Sequence, residues 1–221
     1  MRTKQTVAII GATGKMGSAI AKGLTSGNYR ILLCATDAEK NQSLYNDIIK
    51  QNASADIEAL NCSMQASWEA DIIILAVPYA LEKDIVENIR EVANQKILVS
   101  ISNPLNSTYS ELTTSTNSSA AEELQKLLPN TKVVKAFNTT FAGDFSHSII
   151  NGQQIDSFIV GNNEEAVQTV SEMVQTVGFN PVIAGDLSVS RTLEAMQLLL
   201  IQMTMKNNYP EWVAGWKILH N

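Results

Sequence analysis

Three glycines near the start of the chain constrain its fold more than any other feature. An apolar run at residues 7–10 leads into Gly11, Gly14 and Gly17, and apolar residues at helical spacing follow. This order predicts a strand, a tight turn and a helix N-terminus. Gly11 would permit the turn, Gly14 would keep the backbone bare for phosphate oxygens, and Gly17 would let the helix approach the sheet. Free amides and the positive dipole end of that helix attract anions. The sequence therefore predicts a dinucleotide site; a glycine turn with only a structural role is the alternative.

The rest of the chain alternates apolar runs with amphipathic stretches, which predicts an α/β fold. We expect a Rossmann, doubly wound parallel sheet with helices on both faces over residues 1–141, the NAD(P)-binding region. Residues 142–221 would form a small C-terminal α/β extension that binds the acceptor or a second subunit and ends in a long apolar helix at 188–205. Predicted strands are 6–10, 29–35, 56–60, 71–77, 96–101, 132–136, 157–160 and 181–183; predicted helices are 16–26, 38–51, 64–69, 80–93, 120–128 and 164–176.

The composition and charge of the chain argue against several classes of binding partner. The formal net charge of −6 argues against nucleic acid or an anionic membrane surface as the main partner. No apolar run reaches the length of a membrane span, and the polar first six residues do not resemble a secretion signal. Cys34 and Cys62 have no neighbours at metal-ligand spacing, so we expect two buried thiols, no metal site and a cytoplasmic protein.

The end of the second predicted strand bears on the choice of dinucleotide. Asp37 lies 20 residues beyond Gly17, about where an acid that binds the ribose of NAD is expected. Asp37 also precedes a predicted helix, where it would be a good N-cap. The sequence is compatible with both roles of Asp37.

A polar stretch of Ser, Thr and Asn occupies residues 102–119, which is too long for an ordinary connection. It predicts either a disordered insert or a flap over the cofactor.

Several short segments, in order along the chain, identify a family. The chain resembles the NADP oxidoreductases dependent on the deazaflavin coenzyme F420, and the related cytosolic domain of the STEAP ferric reductases. The matching segments are the glycine loop 11–17, the Ala-Val-Pro of 76–78, and residues 119–123, 133–139, 160–164 and 184–187, the last leading to Ser190-Arg191.

The resemblance implies hydride transfer between a nicotinamide dinucleotide and a flavin or deazaflavin, which requires two rings in contact and little acid–base machinery. It places a set of cofactor-binding residues, namely Gly11, Thr13, Gly14, Lys15, Met16, Gly17, Thr36, Asp37, Ala76, Val77, Pro78, Phe137 and Asn138. Pro78 has an alternative role as the first residue of the next helix.

Three residues are candidates for the chemistry: Asn138, Thr139 and Arg191. Asn138 could orient a carboxamide, because its amide both donates and accepts hydrogen bonds. Arg191, with Ser188 and Ser190 nearby, would approach the second ring and offset its negative charge when reduced. A structural Arg191 that caps a helix or pairs with Glu194 is the alternative.

The sequence departs from the family at two places. The family's NADP enzymes tend to carry a Ser followed by arginines after the second strand, whereas this chain has Thr36 and Asp37 there. Thr36 and Lys40 could still bind a phosphate, so we expect NADP, with NAD possible. Some relatives have a His where this chain has Asn138, which leaves a protonation role there in doubt.

Other functions remain open. The protein could be a dinucleotide-binding sensor or scaffold without turnover, or a reductase of a small imine or hydroxyacid. Tyr79 and Lys83 have the spacing of the short-chain dehydrogenase pair but follow the wrong strand. As partners we expect a small-molecule redox acceptor and a second copy of the chain, bound through the helix at 188–205.

Overall fold

The computed structural model describes residues 3–219. In that range the strands are β1 (Gln5–Ile10), β2 (Tyr29–Cys34), β3 (Asp56–Leu60), β4 (Ile72–Leu75), β5 (Ile97–Ser100), β6 (Lys132–Lys135), β7 (Ile149–Ile150), β8 (Gln153–Gln154), β9 (Asp156–Gly161) and β10 (Asn180–Gly185). The helices are α1 (Lys15–Leu24), α2 (Ala38–Gln51), α3 (Ser63–Glu69), α4 (Tyr79–Ile89), α5 (Ala120–Leu127), α6 (Glu164–Thr176) and α7 (Ser190–Asn207). Each predicted element is present, with small shifts at the ends.

Eight of these strands form one sheet in the order β3-β2-β1-β4-β5-β6-β9-β10. Strands β1 to β6 pair in parallel, which confirms the predicted Rossmann topology with its reversal of strand order between β1 and β4. β9 is antiparallel to β6, and β10 is parallel to β9. The region after residue 141 therefore extends the same sheet.

Both faces of the sheet are covered, which explains why the strands read as continuous apolar runs. Alternate residues of β1 enter opposite cores: Val7 and Ile9 pack with α1, α2 and α6, whereas Ala8 and Ile10 pack with α3, α4 and α5. Parallel strands of a doubly wound sheet end at one edge, and a ligand is expected there, beside the β1–β4 reversal.

The long helix α7 packs on the sheet beside β6 and β9. Leu193 contacts Phe158 and Val160, and Leu200 lies in a small cluster with Phe141. The opposite side of α7 leaves Leu199, Met203 and Met205 exposed, so the helix is apolar on more than one face, as predicted.

The polar stretch at 102–119 has structure of its own. Leu105 and Leu112 form a β-bridge, and the Gln202 side-chain amide on α7 donates to the carbonyls of Tyr109 and Ser110. The alternative of a disordered insert is therefore wrong. The stretch packs against α7, and its role as a flap over a cofactor stays a prediction.

Candidate active site

The turn between β1 and α1 requires glycine at two positions for reasons of packing. Gly11 has a φ of +87°, and a Cβ there would lie 2.3 Å from the carbonyl oxygen of Ala76. At Gly17 a Cβ would lie 2.3 Å from the carbonyl oxygen of Gly11. The turn and the close approach of α1 therefore agree with the roles predicted for these two glycines.

Gly14 differs from the other two. Its φ of −69° and ψ of 164° suit any residue, and a Cβ would lie 3.3 Å from the Gly11 oxygen, a contact that a small shift relieves. The protein's own packing therefore demands little of this exposed position. A ligand that approaches the backbone closely would explain glycine there.

The amides around Gly14 form a cradle for an anion. The first α1 hydrogen bond runs from the Ser18 amide to the Gly14 carbonyl (2.9 Å), so the amides of Lys15, Met16 and Gly17 precede the helical pattern. Among residues 3–219, no side chain caps this end of α1 by a hydrogen bond. Thr13 is half-buried and Lys15 is exposed at the cradle's rim. The site thus combines free backbone amides, the positive end of the α1 dipole and a glycine that the protein's own packing does not require. This combination is suited to a pyrophosphate.

A cleft of about 560 Å³ flanks this cradle. Lys15, Ser18 and Lys22 of α1 form one wall, and Gly143 and Ser146 lie on the other. Lys15 lies at the cradle and Lys22 lies in the last turn of α1, and the two lysines give this cleft a positive charge although the net charge of the whole chain is negative.

The residues after β4 lie directly against the glycine turn. The Ala76 amide donates to the Ile10 carbonyl (2.8 Å), and Val77 Cγ1 lies close to Gly11. Pro78 is exposed and is the N-cap of α4, which begins at Tyr79. The alternative of Pro78 as the first helical residue is therefore wrong by one position. The structure thus brings 76–78 and the glycine loop together, as expected of one dinucleotide site.

At the end of β2, Asp37 is the N-cap of α2. Its Oδ1 accepts from the Lys40 amide (3.0 Å), and its Oδ2 forms an ion pair with Lys40 Nζ (2.9 Å). The hydrogen bond from the Lys40 amide lowers the pKa of Asp37. Thr36 beside it is exposed. The capping role is confirmed, while contact with a ribose stays a prediction.

Residues 137–139, predicted to sit beside the nicotinamide, are enclosed at the end of β6. Phe137, Asn138 and Thr139 are 0, 1 and 0% exposed. Phe137 has a φ of +60° and its ring packs against Phe145, with 6.1 Å between the centroids. Strained backbone of this kind concentrates at functional sites. The Phe137 side chain, however, belongs to the core, so a direct contact of these side chains with a ring requires the segment to move.

Asn138 is paired with Asn103 through two hydrogen bonds. The Asn138 side-chain amide donates to Asn103 Oδ1 (3.0 Å), and the Asn103 amide donates to the Asn138 carbonyl (2.9 Å). Among the residues that the structure describes, Asn138 Oδ1 has no partner. Asn138 Oδ1 can therefore still accept a hydrogen bond, and the NH₂ group of a carboxamide would be a suitable donor. Thr139 Oγ1 accepts from the Phe158 amide (3.5 Å).

Arg191 has a different partner from the one the sequence suggested. Its guanidinium forms a two-pronged pair with Glu122 of α5, with Nε at 2.8 Å from Oε2, and this carboxylate raises the pKa of Arg191. Pairing with Glu194 is therefore wrong. The side chain is 41% exposed, so an approach to a second ring stays a prediction. Ser188 bonds Asp186, and Ser190 bonds Ser119 (2.7 Å between hydroxyls), so both serines serve the protein's own contacts.

Sequence reasoning missed a buried ionic cluster beneath this edge. Lys135 and Glu194 are fully enclosed, with Nζ 2.5 Å from Oε1, and Lys135 also donates to the Ser102 carbonyl (2.6 Å). Glu194 accepts from the Ala120 amide (3.0 Å). The pair therefore ties β6, α5, α7 and residue 102 together. The available signal was a lysine inside an apolar strand, which needs a buried partner.

The two cysteines differ in their exposure to solvent. Cys34 is buried and Cys62 is exposed, so the expectation of two buried thiols is wrong for Cys62, which immediately precedes α3. Burial raises the pKa of Cys34 to about 11.

Two kinds of feature are absent from residues 3–219. No three His, Cys, Asp or Glu side chains converge as metal ligands would in that range. None of its helices combines the length and apolar character needed to cross a bilayer.

Sequence comparison gives a family match. The model of the coenzyme F420-dependent NADP oxidoreductases matches residues 6–104. An F420-dependent NADP reductase of Methanocaldococcus jannaschii is 30% identical over 213 residues, which are 90% of this chain and 92% of that protein. The metalloreductase STEAP3 of Rattus norvegicus is 38% identical over 106 residues, 48% of this chain and 21% of that protein.

Comparison with solved structures identifies proteins of the same fold. A candidate F420-dependent NADP reductase from Arthrobacter sp. FB24 superposes with a TM-score of 0.84 at 19% identity, over 99% of this chain and 100% of that one. At this identity the likeness concerns the fold, and it includes the C-terminal extension as well as the dinucleotide-binding part.

Proposed function

The chain belongs to the family of coenzyme F420-dependent NADP oxidoreductases, and we propose that it transfers a hydride between NADP and a flavin or deazaflavin acceptor. The observation that carries this proposal is the cradle at Gly14, where packing leaves glycine unexplained and three amides precede the helical pattern. A dinucleotide pyrophosphate accounts for both.

Each part of the site would have a separate task. Residues 11–17 would hold the pyrophosphate, and Ala76–Pro78 would border the path toward the nicotinamide. Asn138 Oδ1 would accept a hydrogen bond from the carboxamide after the 137–139 segment adjusts. When bound, the dinucleotide supplies the two electrons; the protein holds the rings in contact and excludes water.

NADP is the proposed dinucleotide because the Methanocaldococcus jannaschii relative is an F420-dependent NADP reductase. The local charge is less favourable, since Asp37 is ionised at neutral pH and its ion pair occupies Lys40. Thr36 and the exposed Lys40 would have to reorganise around a 2′-phosphate. NAD is the alternative, and Asp37 would then bind the ribose.

A binder without turnover is the second candidate. The burial of Asn138 and Thr139 and the Arg191–Glu122 pair favour it, because both leave few free polar groups at the edge. The homodimer stays a prediction that the exposed apolar side chains of α7 support.

The test combines binding with turnover. Purified protein is titrated with NADPH and NADH by calorimetry and then mixed with FMN, FAD and the deazaflavin, with absorbance following nicotinamide oxidation. We expect NADPH binding and oxidation by at least one acceptor. Binding without oxidation by any acceptor would favour the sensor.

Gly14→Ala is the matched variant for the cradle. A methyl group there should leave the melting temperature near that of the wild type and weaken nucleotide binding by at least about tenfold, because it occupies the space of a phosphate oxygen. Undiminished binding would remove the cradle from the proposal.

A further inference from the structure

A carboxyl group and a hydroxyl group lie buried and face each other next to the ionic cluster, and neither has another partner among residues 3–219. Glu82 of α4 is 2% exposed, and Ser102, which follows β5, is 8% exposed. Among the described residues, neither carboxyl oxygen of Glu82 nor Ser102 Oγ makes a hydrogen bond that satisfies distance and angle. A buried polar group left unpaired costs about 1–3 kcal/mol. Such a cost calls for a functional explanation.

The groups that face Glu82 come from every element packed around it. They are Tyr79 on α4, Glu123 on α5, Lys135 on β6, Glu194 on α7 and the Ser102 hydroxyl. Four of these groups form two pairs with one another. Lys135 is neutralised by Glu194, and the Tyr79 hydroxyl donates to Glu123 Oε2 at 2.5 Å. An ionised Glu82 would therefore add an uncompensated negative charge.

These surroundings set the protonation of Glu82. Burial raises its pKa to about 7, while Lys135 and the Ser102 hydroxyl act in the opposite direction. The protonated and ionised forms of Glu82 are therefore both populated near neutral pH.

Glu82 lies between a surface cleft and the candidate site. On one side is a cleft of about 210 Å³ between α4 and α5, which Glu82 lines together with Tyr79, Lys83 and Glu123. On the other side is Ser102, whose hydroxyl faces the Glu82 carboxyl. The next residue, Asn103, is hydrogen-bonded to Asn138 at the edge of the sheet. Glu82 and Ser102 thus connect the cleft with the edge.

We propose that Glu82 relays the proton consumed in the reduction, taking it from water in the α4–α5 cleft and passing it through the Ser102 hydroxyl toward the acceptor. This inference rests on the proposed hydride transfer. The hydride carries two electrons and one hydrogen nucleus, so the nicotinamide becomes a cation and the flavin or deazaflavin an anion. That anion takes up one proton. The Glu82 O–H bond breaks as the proton moves on through Ser102, and water in the cleft then reprotonates the carboxylate.

The relay has a signature that a purely structural acid would lack. Reduction of the acceptor needs protonated Glu82, so its rate should fall by about tenfold as pH rises from 6 to 8. Oxidation of the reduced acceptor by NADP⁺ needs ionised Glu82, so its rate should rise over the same interval. The two pH profiles therefore have opposite slopes.

Glu82→Gln is the principal test, because glutamine copies the shape and neutrality of the protonated acid. We expect both pH profiles to become flat and reduction at pH 6 to slow by at least about tenfold, with NADPH affinity unchanged. Glu87→Gln, on the exposed side of α4, is the matched control and should keep both slopes. Ser102→Ala should slow proton transfer in the same way and move the Glu82 pKa further up.

A second readout does not depend on turnover. Infrared difference spectra of the nucleotide-free protein between pH 6 and pH 8 should show loss of a protonated carboxyl C=O band. Part of the band should be lost in Glu82→Gln, and the rest should come from Asp144, whose pKa burial also raises to about 7. Glu87→Gln should keep the whole band. This measurement also serves if Glu82→Gln folds poorly, because Ser102→Ala should move only the Glu82 part of the titration to higher pH.

The outcomes separate the two proposals. A wild-type protein that binds NADPH and reduces no acceptor overturns both. An active wild type whose Glu82→Gln variant keeps both slopes, or keeps the whole titrating carboxyl band, overturns the relay alone.

Discussion

Removal of the Lys135 charge should destabilise this protein far more than removal of any surface charge. Both partners of the Lys135–Glu194 pair are 0% exposed, so Lys135→Met leaves a buried carboxylate without its counter-ion. Breaking a buried pair in this way costs about 3–5 kcal/mol. For a chain of this size each kcal/mol lowers the melting temperature by about 2–4 °C. The expected decrease is therefore about 6–20 °C.

The assay is thermal and urea unfolding followed by circular dichroism. The matched control is Lys132→Met, on the same strand, whose partner Glu165 is 83% exposed. This surface pair should contribute less than about 1 kcal/mol. The double variant Lys135→Met/Glu194→Gln removes the orphaned charge while the glutamine oxygen still accepts from the Ala120 amide. It should recover at least half of the stability lost in the single variant.

The pH dependence supplies a further check. Burial raises the pKa of Glu194 above its ordinary value, and Lys135 counteracts part of that rise. Without Lys135 the pKa rises further. A folded-state pKa above the unfolded value means that the contribution to stability is complete at low pH and is lost as pH rises. Lys135→Met should thus be closest to the wild type near pH 5 and furthest from it near pH 8. A loss under 1 kcal/mol, or a double variant no more stable than the single one, would refute the reasoning.

Three further predictions concern the turn, the dinucleotide and the assembly. Gly17→Ala should destabilise the fold by about 1–3 kcal/mol in urea unfolding, because its Cβ would meet the Gly11 carbonyl at 2.3 Å; stability equal to that of the wild type would contradict the close packing of α1. Asp37→Arg should shift the ratio of NADPH to NADH affinity toward NADPH by about tenfold in fluorescence titrations, whereas an unchanged ratio would leave Asp37 as a helix cap alone. Leu199→Glu should convert the predicted homodimer into a monomer in sedimentation experiments, with Leu81→Glu on α4, a similarly exposed leucine, as control; a monomeric wild type would show that the dimer prediction is wrong.

Local signals made the candidate dinucleotide site predictable. Gly11 and Gly17 follow an apolar run and precede apolar residues at helical spacing, and the Asp37 cap of α2 acts over three residues. Such features depend on neighbours along the chain, so the sequence is sufficient to identify them.

The partners of charged residues were not predictable in this way. Arg191 and Glu122 are 69 positions apart, and Lys135 and Glu194 are 59 positions apart. Sequence spacing pointed to Glu194 as the partner of Arg191, since the two lie one helical turn apart. The enclosure of Phe137 and Asn138 likewise depends on the segment at 103 and on Phe145.

The amino-acid sequence alone determined the parallel α/β sheet and the glycine turn, because strand periodicity, capping and the steric need for glycine are properties of short segments. Only the tertiary structure decided which acids meet Lys135 and Arg191 and which carboxyl, Glu82, is left unpaired. Desolvation and ion pairing depend on what packs around a group, and here the α7 helix and the sheet edge bring together residues from distant parts of the chain.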